Sequence, residues 1–146
     1  MTSAAAQTFR TTRRVEFSDT DAAGIAHFTA FFRWMEQAEH ELLRSLGLSV
    51  FMQVEGVEIT WPRVNAKCDF CSMAKFEETL EIAAGISRLG EKSVTWSFKF
   101  SIGTREIATG EITSVCCRVN ADGTLASTPI PPLFLTQLRP FLTPDS

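Results

Sequence analysis

From Phe28 to Leu46 the apolar residues Phe28, Phe31, Phe32, Met35, Ala38, Leu42, Leu43 and Leu46 recur at spacings of three and four. That period places them on one broad face of an α-helix, and Gly47 supplies a stop. A helix of about 19 residues is roughly 28 Å long at 1.5 Å per residue, enough to cross a small sheet. It needs a partner surface as long as itself, and the rest of the chain supplies strands. Val94, Trp96, Phe98, Phe100 and Ile102 alternate with Ser93, Thr95, Ser97, Lys99 and Ser101, which predicts a strand with one apolar and one polar face. Residues 9 to 17, 57 to 70 (with a bulge or edge feature at Pro62), 80 to 89 and 106 to 119 read as four more strands. The segment PIPPLFLTQLRPFL predicts a short helix opened by proline.

A strand, a long helix and then four consecutive strands is an α+β order, not the alternation of a doubly wound fold. The economical packing wraps a curved, antiparallel five-stranded sheet around a central helix. This forms one domain over residues 9–142 behind a flexible segment 1–8. At 146 residues one sizeable core fits and a second does not. Apolar residues left on the sheet's outer face and edges predict at least a homodimer.

Fourteen basic against seventeen acidic residues give a net charge of −3, which offers no general attraction to nucleic acid or to an anionic membrane. Arg33, Glu36 and Glu39 interrupt the most hydrophobic stretch, so no membrane span is expected. The N-terminus lacks the apolar middle of a secretory signal, and the expectation is a cytoplasmic protein. Cys68 and Cys71 form a C-x-x-C and Cys116 and Cys117 are adjacent. Zinc would need a second ligand pair, yet the two histidines, His27 and His40, lie elsewhere, so no metal site is expected. The cysteines are read as small apolar residues.

The segment from Val15 to Phe28, VEFSDTDAAGIAHF, carries the chemistry. A strand ends, two carboxylates two residues apart follow, and a helix begins. A helix N-terminus offers unpaired N–H groups and a partial positive charge, so it can hold a developing oxyanion. A carboxylate beside it can act as general base or nucleophile. Asp19 and Asp21 are equally at home as turn and N-cap residues. A calcium loop fails, because Ala23 and Ala30 stand where oxygen ligands are needed.

The stretch VEFSDTDAAGIAHFTAFFRWMEQA resembles the N-terminal signature of the 4-hydroxybenzoyl-CoA thioesterase family of hotdog-fold proteins. In that family an Asp-x-Asp-x-x-Gly turn leads into an aromatic-rich central helix. LEIAAGISRLGEKSVTWSFKF is similar to the family's third and fourth strands, and the resemblance covers about residues 13 to 140. It implies a hotdog fold with sites between the subunits of a homodimer or of a dimer of dimers. The implied activity is hydrolysis of acyl-CoA thioesters, with Asp21 as the catalytic carboxylate and the Phe28 N–H polarising the thioester carbonyl. Gly24 would permit the close turn between them, and His27 joins them as a candidate catalytic residue. Some relatives have histidine where this chain has Phe28, and Tyr or Trp where it has His27. For the coenzyme, Arg88, Lys92 and Ser93 are the candidate contacts, with Arg63 and Arg118 as weaker ones. Glu36 would line the pocket or pair with a basic residue across the interface. No cofactor is required beyond the coenzyme A of the substrate itself. A carrier-protein thioesterase and a noncatalytic acyl-thioester binder are the alternatives.

Overall fold

Helix α1 (Phe28–Ser45) begins at His27, which caps it, and ends at Leu46 in a Schellman turn. There Leu48 N–H reaches Leu43 O, Gly47 N–H reaches Arg44 O, and Gly47 adopts φ +75°. The computed structural model describes residues 5–144. Residues 1–4 of the expected N-terminal segment therefore lie outside the described residues.

The strands are β1 (Phe9–Arg14), β2 (Phe51–Val54), β3 (Val57–Thr60), β4 (Arg63–Phe70), β5 (Thr79–Leu89), β6 (Ser93–Ile102), β7 (Arg105–Val115), β8 (Cys117–Val119) and β9 (Leu125–Ser127). A second helix, α2 (Pro132–Leu138), and a 3₁₀ turn at Arg139–Phe141 close the chain. The main sheet is antiparallel, in the order β1-β5-β6-β7-β4, and a smaller sheet runs β2-β3-β8-β9. The expected α+β architecture with a five-stranded sheet is present. Two of the expected strands nevertheless divide. The run from 57 to 70 breaks at Trp61–Pro62, so β3 belongs to the small sheet and β4 to the main one. Pro62 has no N–H for a ladder, and its carbonyl instead accepts from Val115 N–H. The run from 106 to 119 breaks in the same way at Cys116, whose N–H bonds to Lys92 O. Strand β2 was not foreseen. It pairs with β3 through a two-residue turn in which Glu55 (φ +51°) and Gly56 (φ +80°) are both left-handed, the geometry of a type I′ hairpin.

The core lies between α1 and the concave face of the main sheet. Val94, Trp96, Phe98 and Phe100 of β6 are all buried, as their alternation predicts. From the helix come Ala30, Phe31, Trp34, Met35, Ala38, Leu42 and Leu43. Phe28, expected on the buried face, is instead 59% exposed, because the first turn projects beyond the sheet toward a cleft. Glu39 occupies a core position that the apolar period skips, at 1% exposure. Met35 of the helix rests its side-chain end on Gly110 of β7, where an added Cβ would collide with Met35 Sδ. Only a residue without a side chain fits that contact as it stands.

Candidate active site

Between Asp21 and Ile25 the chain makes a tight turn that is closed on itself. Asp21 N–H donates to Ile25 O, Gly24 N–H donates to Asp21 O at 3.0 Å, and Thr20 and Ala26 form a bridge. Gly24 has φ +78° with open space where a Cβ would stand, so the turn needs glycine for its backbone conformation and not for lack of room. The loop before β5 holds this turn in place. Ala26 N–H donates to Ala74 O and Phe76 N–H to Gly24 O. Arg105 fastens that loop through Ser72 Oγ, Met73 O and Glu78 Oε2.

The two carboxylates of the motif have separate fates. Asp19 Oδ2 accepts from Glu16 N–H, its Oδ1 accepts from Arg33, and its backbone carbonyl accepts from His27 N–H. It is fully engaged in holding the turn to the helix. Asp21 is exposed, and only its Oδ1 is used, accepting from Ala23 N–H at 2.8 Å. One oxygen remains for chemistry. His27 Nδ1 accepts from Thr29 N–H at 3.2 Å and lies 2.7 Å from Thr29 Oγ1, which requires an unprotonated Nδ1 and leaves the proton on Nε2. With Thr29 capped, Phe28 N–H is the helix-opening donor without a partner. The structure thus makes His27 the cap that leaves Phe28 N–H free.

Asp21 and Phe28 line one cleft of about 380 Å³, with Phe31 and Phe70 behind them and Cys71 and Met73 on the opposite wall. Phe31 stands at the centre of an aromatic group, edge-on to Trp34, Phe70 and Phe100 at 5.1–5.2 Å between ring centres. A free carboxylate oxygen, an unpartnered N–H at a positive helix end and an aromatic wall together suit attack on an apolar acyl carbonyl. Phe70 and Met73, which line the cleft, and Arg105, which fastens the loop beside it, escaped sequence reasoning because they lie far along the chain from Asp21. Cys71 drew notice only as half of a C-x-x-C. Burial pushes the thiols of Cys68 and Cys116 up to about 11, so neither is a ready nucleophile or ligand near neutral pH. Among the described residues no group of three His, Cys, Asp or Glu side chains is placed to hold a metal.

The candidate coenzyme contacts are not gathered here. Arg63 is bound to Glu39 by two hydrogen bonds, to Ser114 Oγ at 2.7 Å and to Glu36 at 3.3 Å. Its charge is spent inside the protein, and Glu36, expected at the pocket or in a pair across the interface, pairs within its own chain instead. Burial pushes the carboxyl of Glu39 above the usual range, and Arg63 offsets this only in part. His40 is half-buried beside Glu39 at 3.7 Å. Arg118 lies by the β2–β3 turn, away from the cleft. Arg88, Lys92 and Ser93 sit at the turn after β5, whereas the Asp21 turn packs on the residues just before β5. The two groups therefore stand at opposite ends of an 11-residue strand.

The sequence matches the thioesterase superfamily over residues 23–109. It is 30% identical over 118 residues to a protein of Aquifex aeolicus provisionally designated an esterase, covering 80% of this chain and 88% of that protein. It is 32% identical to the 1,4-dihydroxy-2-naphthoyl-CoA hydrolase of Synechococcus sp. (strain WH7803), covering 71% of this chain and 72% of the relative. Among solved structures, a gentisyl-coenzyme A thioesterase superposes with a TM-score of 0.76 at 30% identity, over 88% of this chain and 98% of that one. A 1,4-dihydroxy-2-naphthoyl-CoA thioesterase from Synechocystis shares the fold with a TM-score of 0.77 at 22% identity, over 91% and 96% of the two chains.

Proposed function

Because the chain belongs to the thioesterase superfamily and has the hotdog fold, we propose that it hydrolyses an acyl-coenzyme A to a carboxylic acid and free coenzyme A. The observation that carries this reading is the shared cleft of Asp21, with its free carboxylate oxygen, and the unpartnered Phe28 N–H. Coenzyme A thioesters are also the substrates named for several of the similar proteins. In one route Asp21 takes a proton from water, and the resulting hydroxide adds to the thioester carbonyl. In the other its carboxylate oxygen attacks the carbonyl and forms an anhydride that water then opens. In both, negative charge develops on the carbonyl oxygen, where the Phe28 N–H and the helix dipole hold it. Collapse breaks the C–S bond and expels a thiolate. An ordinary thiol ionises near pH 8.5, so this leaving group needs no strong acid. The chemistry calls for no metal or redox cofactor.

The working form is a homodimer. Strand β4 is an edge of the main sheet, paired with β7 on one side only. It exposes Val64 at 61% and Phe70 at 50%, an apolar edge that single proteins avoid. A thioester in contact with both the Asp21 cleft and the turn after β5 would span two copies. Sedimentation at micromolar concentration is expected to give twice the chain mass; a monomer would overturn the assembly.

Release of free thiol from a panel of aryl, short-chain and long-chain acyl-CoAs tests the activity. Turnover of at least one class at 1 s⁻¹ or faster, on the order of ordinary enzymes, is expected. Silence across the panel from a folded, dimeric protein would refute acyl-CoA hydrolysis.

A further inference from the structure

The ring of His27 is tied to the first turn of α1 in two ways. Its Nδ1 accepts from Thr29 N–H at 3.2 Å and lies 2.7 Å from Thr29 Oγ1, while its face stacks on the Phe28 ring at 4.6 Å between centres. The backbone is fixed as well, because His27 N–H donates to Asp19 O and His27 O accepts from Ala30 N–H. Phe28, whose N–H is the proposed oxyanion donor, therefore sits under a ring that is bonded to the residue after it. That ring is not placed to be a base. Its Nδ1 is turned onto the helix, its Nε2 carries the proton, and His27 is not among the residues that line the Asp21 cleft. What it supplies is an acceptor, and only while Nδ1 is unprotonated.

The usual helix caps are Ser, Thr, Asn and Asp, none of which gains a positive charge. An imidazole takes up its second proton between pH 5 and 8. A protonated Nδ1 would face Thr29 N–H donor to donor, and the cap would be lost. The Thr29 hydroxyl could still accept from it, which keeps the ring beside the helix and sets a positive charge against the helix's positive end. The charged residues on the segments packed around His27 are Asp19 and Asp21 before it, Lys75, Glu77 and Glu78 in the loop before β5, and Arg33 on α1. None of these bonds the imidazole, and Asp19 is engaged by Arg33. We propose that His27 is a positioning residue that makes thioester hydrolysis sensitive to acid: its unprotonated Nδ1 holds the first turn and with it the Phe28 N–H, and protonation releases both. The effect on hydrolysis rests on the acyl-CoA reading above, whereas the loss of the cap does not.

The test uses the full chain as wild type, His27→Asn and His27→Ala. Asparagine keeps a capping acceptor that does not titrate, and alanine has none. The ¹⁵N–¹H resonance of Thr29, and kcat for an acyl-CoA, are followed from pH 8 to pH 5.5, above the range in which an ordinary carboxylate takes its proton. In wild type the Thr29 resonance is expected to shift across this range and kcat to fall about fivefold, the scale of one lost helix cap. In both variants the resonance and kcat are expected to hold steady with pH, with His27→Asn about fivefold faster than His27→Ala. His40 is present in all three proteins, so a fall in kcat that His27→Asn retains overturns the proposal. A wild-type Thr29 resonance that stays fixed overturns it, and so does one that shifts while kcat does not change. If no acyl-CoA is cleaved at any pH, the hydrolase reading fails and the acid sensitivity with it, and a shifting Thr29 resonance then separates that failure from failure of the cap.

Discussion

Asp21→Asn is expected to lower kcat for thioester hydrolysis by about 10²–10⁴-fold, with the fold intact. The substitution is close to a single-atom change. Asparagine keeps a side-chain carbonyl oxygen in the place of Oδ1, so it can still accept from Ala23 N–H, and the backbone bonds that close the turn are untouched. What disappears is the ionised oxygen that nothing else in the turn uses. The Phe28 N–H remains, so the variant keeps the oxyanion donor and loses only the base or nucleophile. Asp19→Asn is the contrast. Asp19 accepts three hydrogen bonds, one of them from Arg33, and its substitution is expected to act on stability before chemistry. Steady-state kinetics with circular dichroism on the same samples make the check. An Asp21→Asn protein that folds and turns over at the wild-type rate would remove the proposed mechanism.

Arg63→Met is expected to cost about 3–5 kcal/mol of stability near pH 8, the usual penalty for stranding a buried charge. Arg63 is the cation that accompanies Glu39 into the core, with Glu36 at the outer side of the pair and Ser114 as a further partner. Without it the Glu39 carboxylate, 1% exposed, must lose its charge or stay buried and unpaired. The pH dependence follows from linkage. Burial already raises the carboxyl of Glu39 above its ordinary value of 4.5, with Arg63 opposing the rise, and removing Arg63 raises it further. A group raised in the folded state supports stability below its unfolded value and loses that support as pH climbs through the folded one. The defect is therefore smaller at pH 5 than at pH 8. Joint replacement, Arg63→Met with Glu39→Leu, is expected to recover most of the loss, because no charge is left unpaired. Urea midpoints at both pH values and a fixed protein concentration decide it. An equal defect at pH 5 and pH 8 would rule out a stranded carboxylate.

Much of this protein was legible in its sequence wherever a local pattern decided the outcome. The alternation from Ser93 to Ile102 became β6 with the predicted residues buried, and the three-and-four spacing became α1. The turn from Asp21 to Gly24 and the helix that follows were readable because their turn residues and apolar spacing are local in the sequence. Long-range matters were not readable. A strand that leaves one sheet for another keeps its alternation, so Pro62 marked an edge feature without showing the change of sheet there, and nothing local marked the break at Cys116. Glu39 read only as a charge that interrupts an apolar stretch, because its partner Arg63 is 24 positions away. Asp19 and Asp21 looked alike, and only the hydrogen bonds from Glu16, His27 and Arg33 assign one to holding the turn and leave the other free.

Gly110 bears on the cleft from a distance. Met35 rests on it, and Phe28 lies seven residues earlier on the same helix, about 10 Å along a stiff rod. An added side chain at position 110 would have to be met by a shift of the Met35 side chain or of the helix that carries it. Raising the rod at Met35 carries the Phe28 N–H with it, while Asp21 stays behind, tied to the loop before β5. Displacements of about 1 Å between reacting groups can cost on the order of 10²-fold in rate. On the proposed mechanism, a larger residue at position 110 that moved the helix would therefore separate Asp21 from the Phe28 N–H while touching neither.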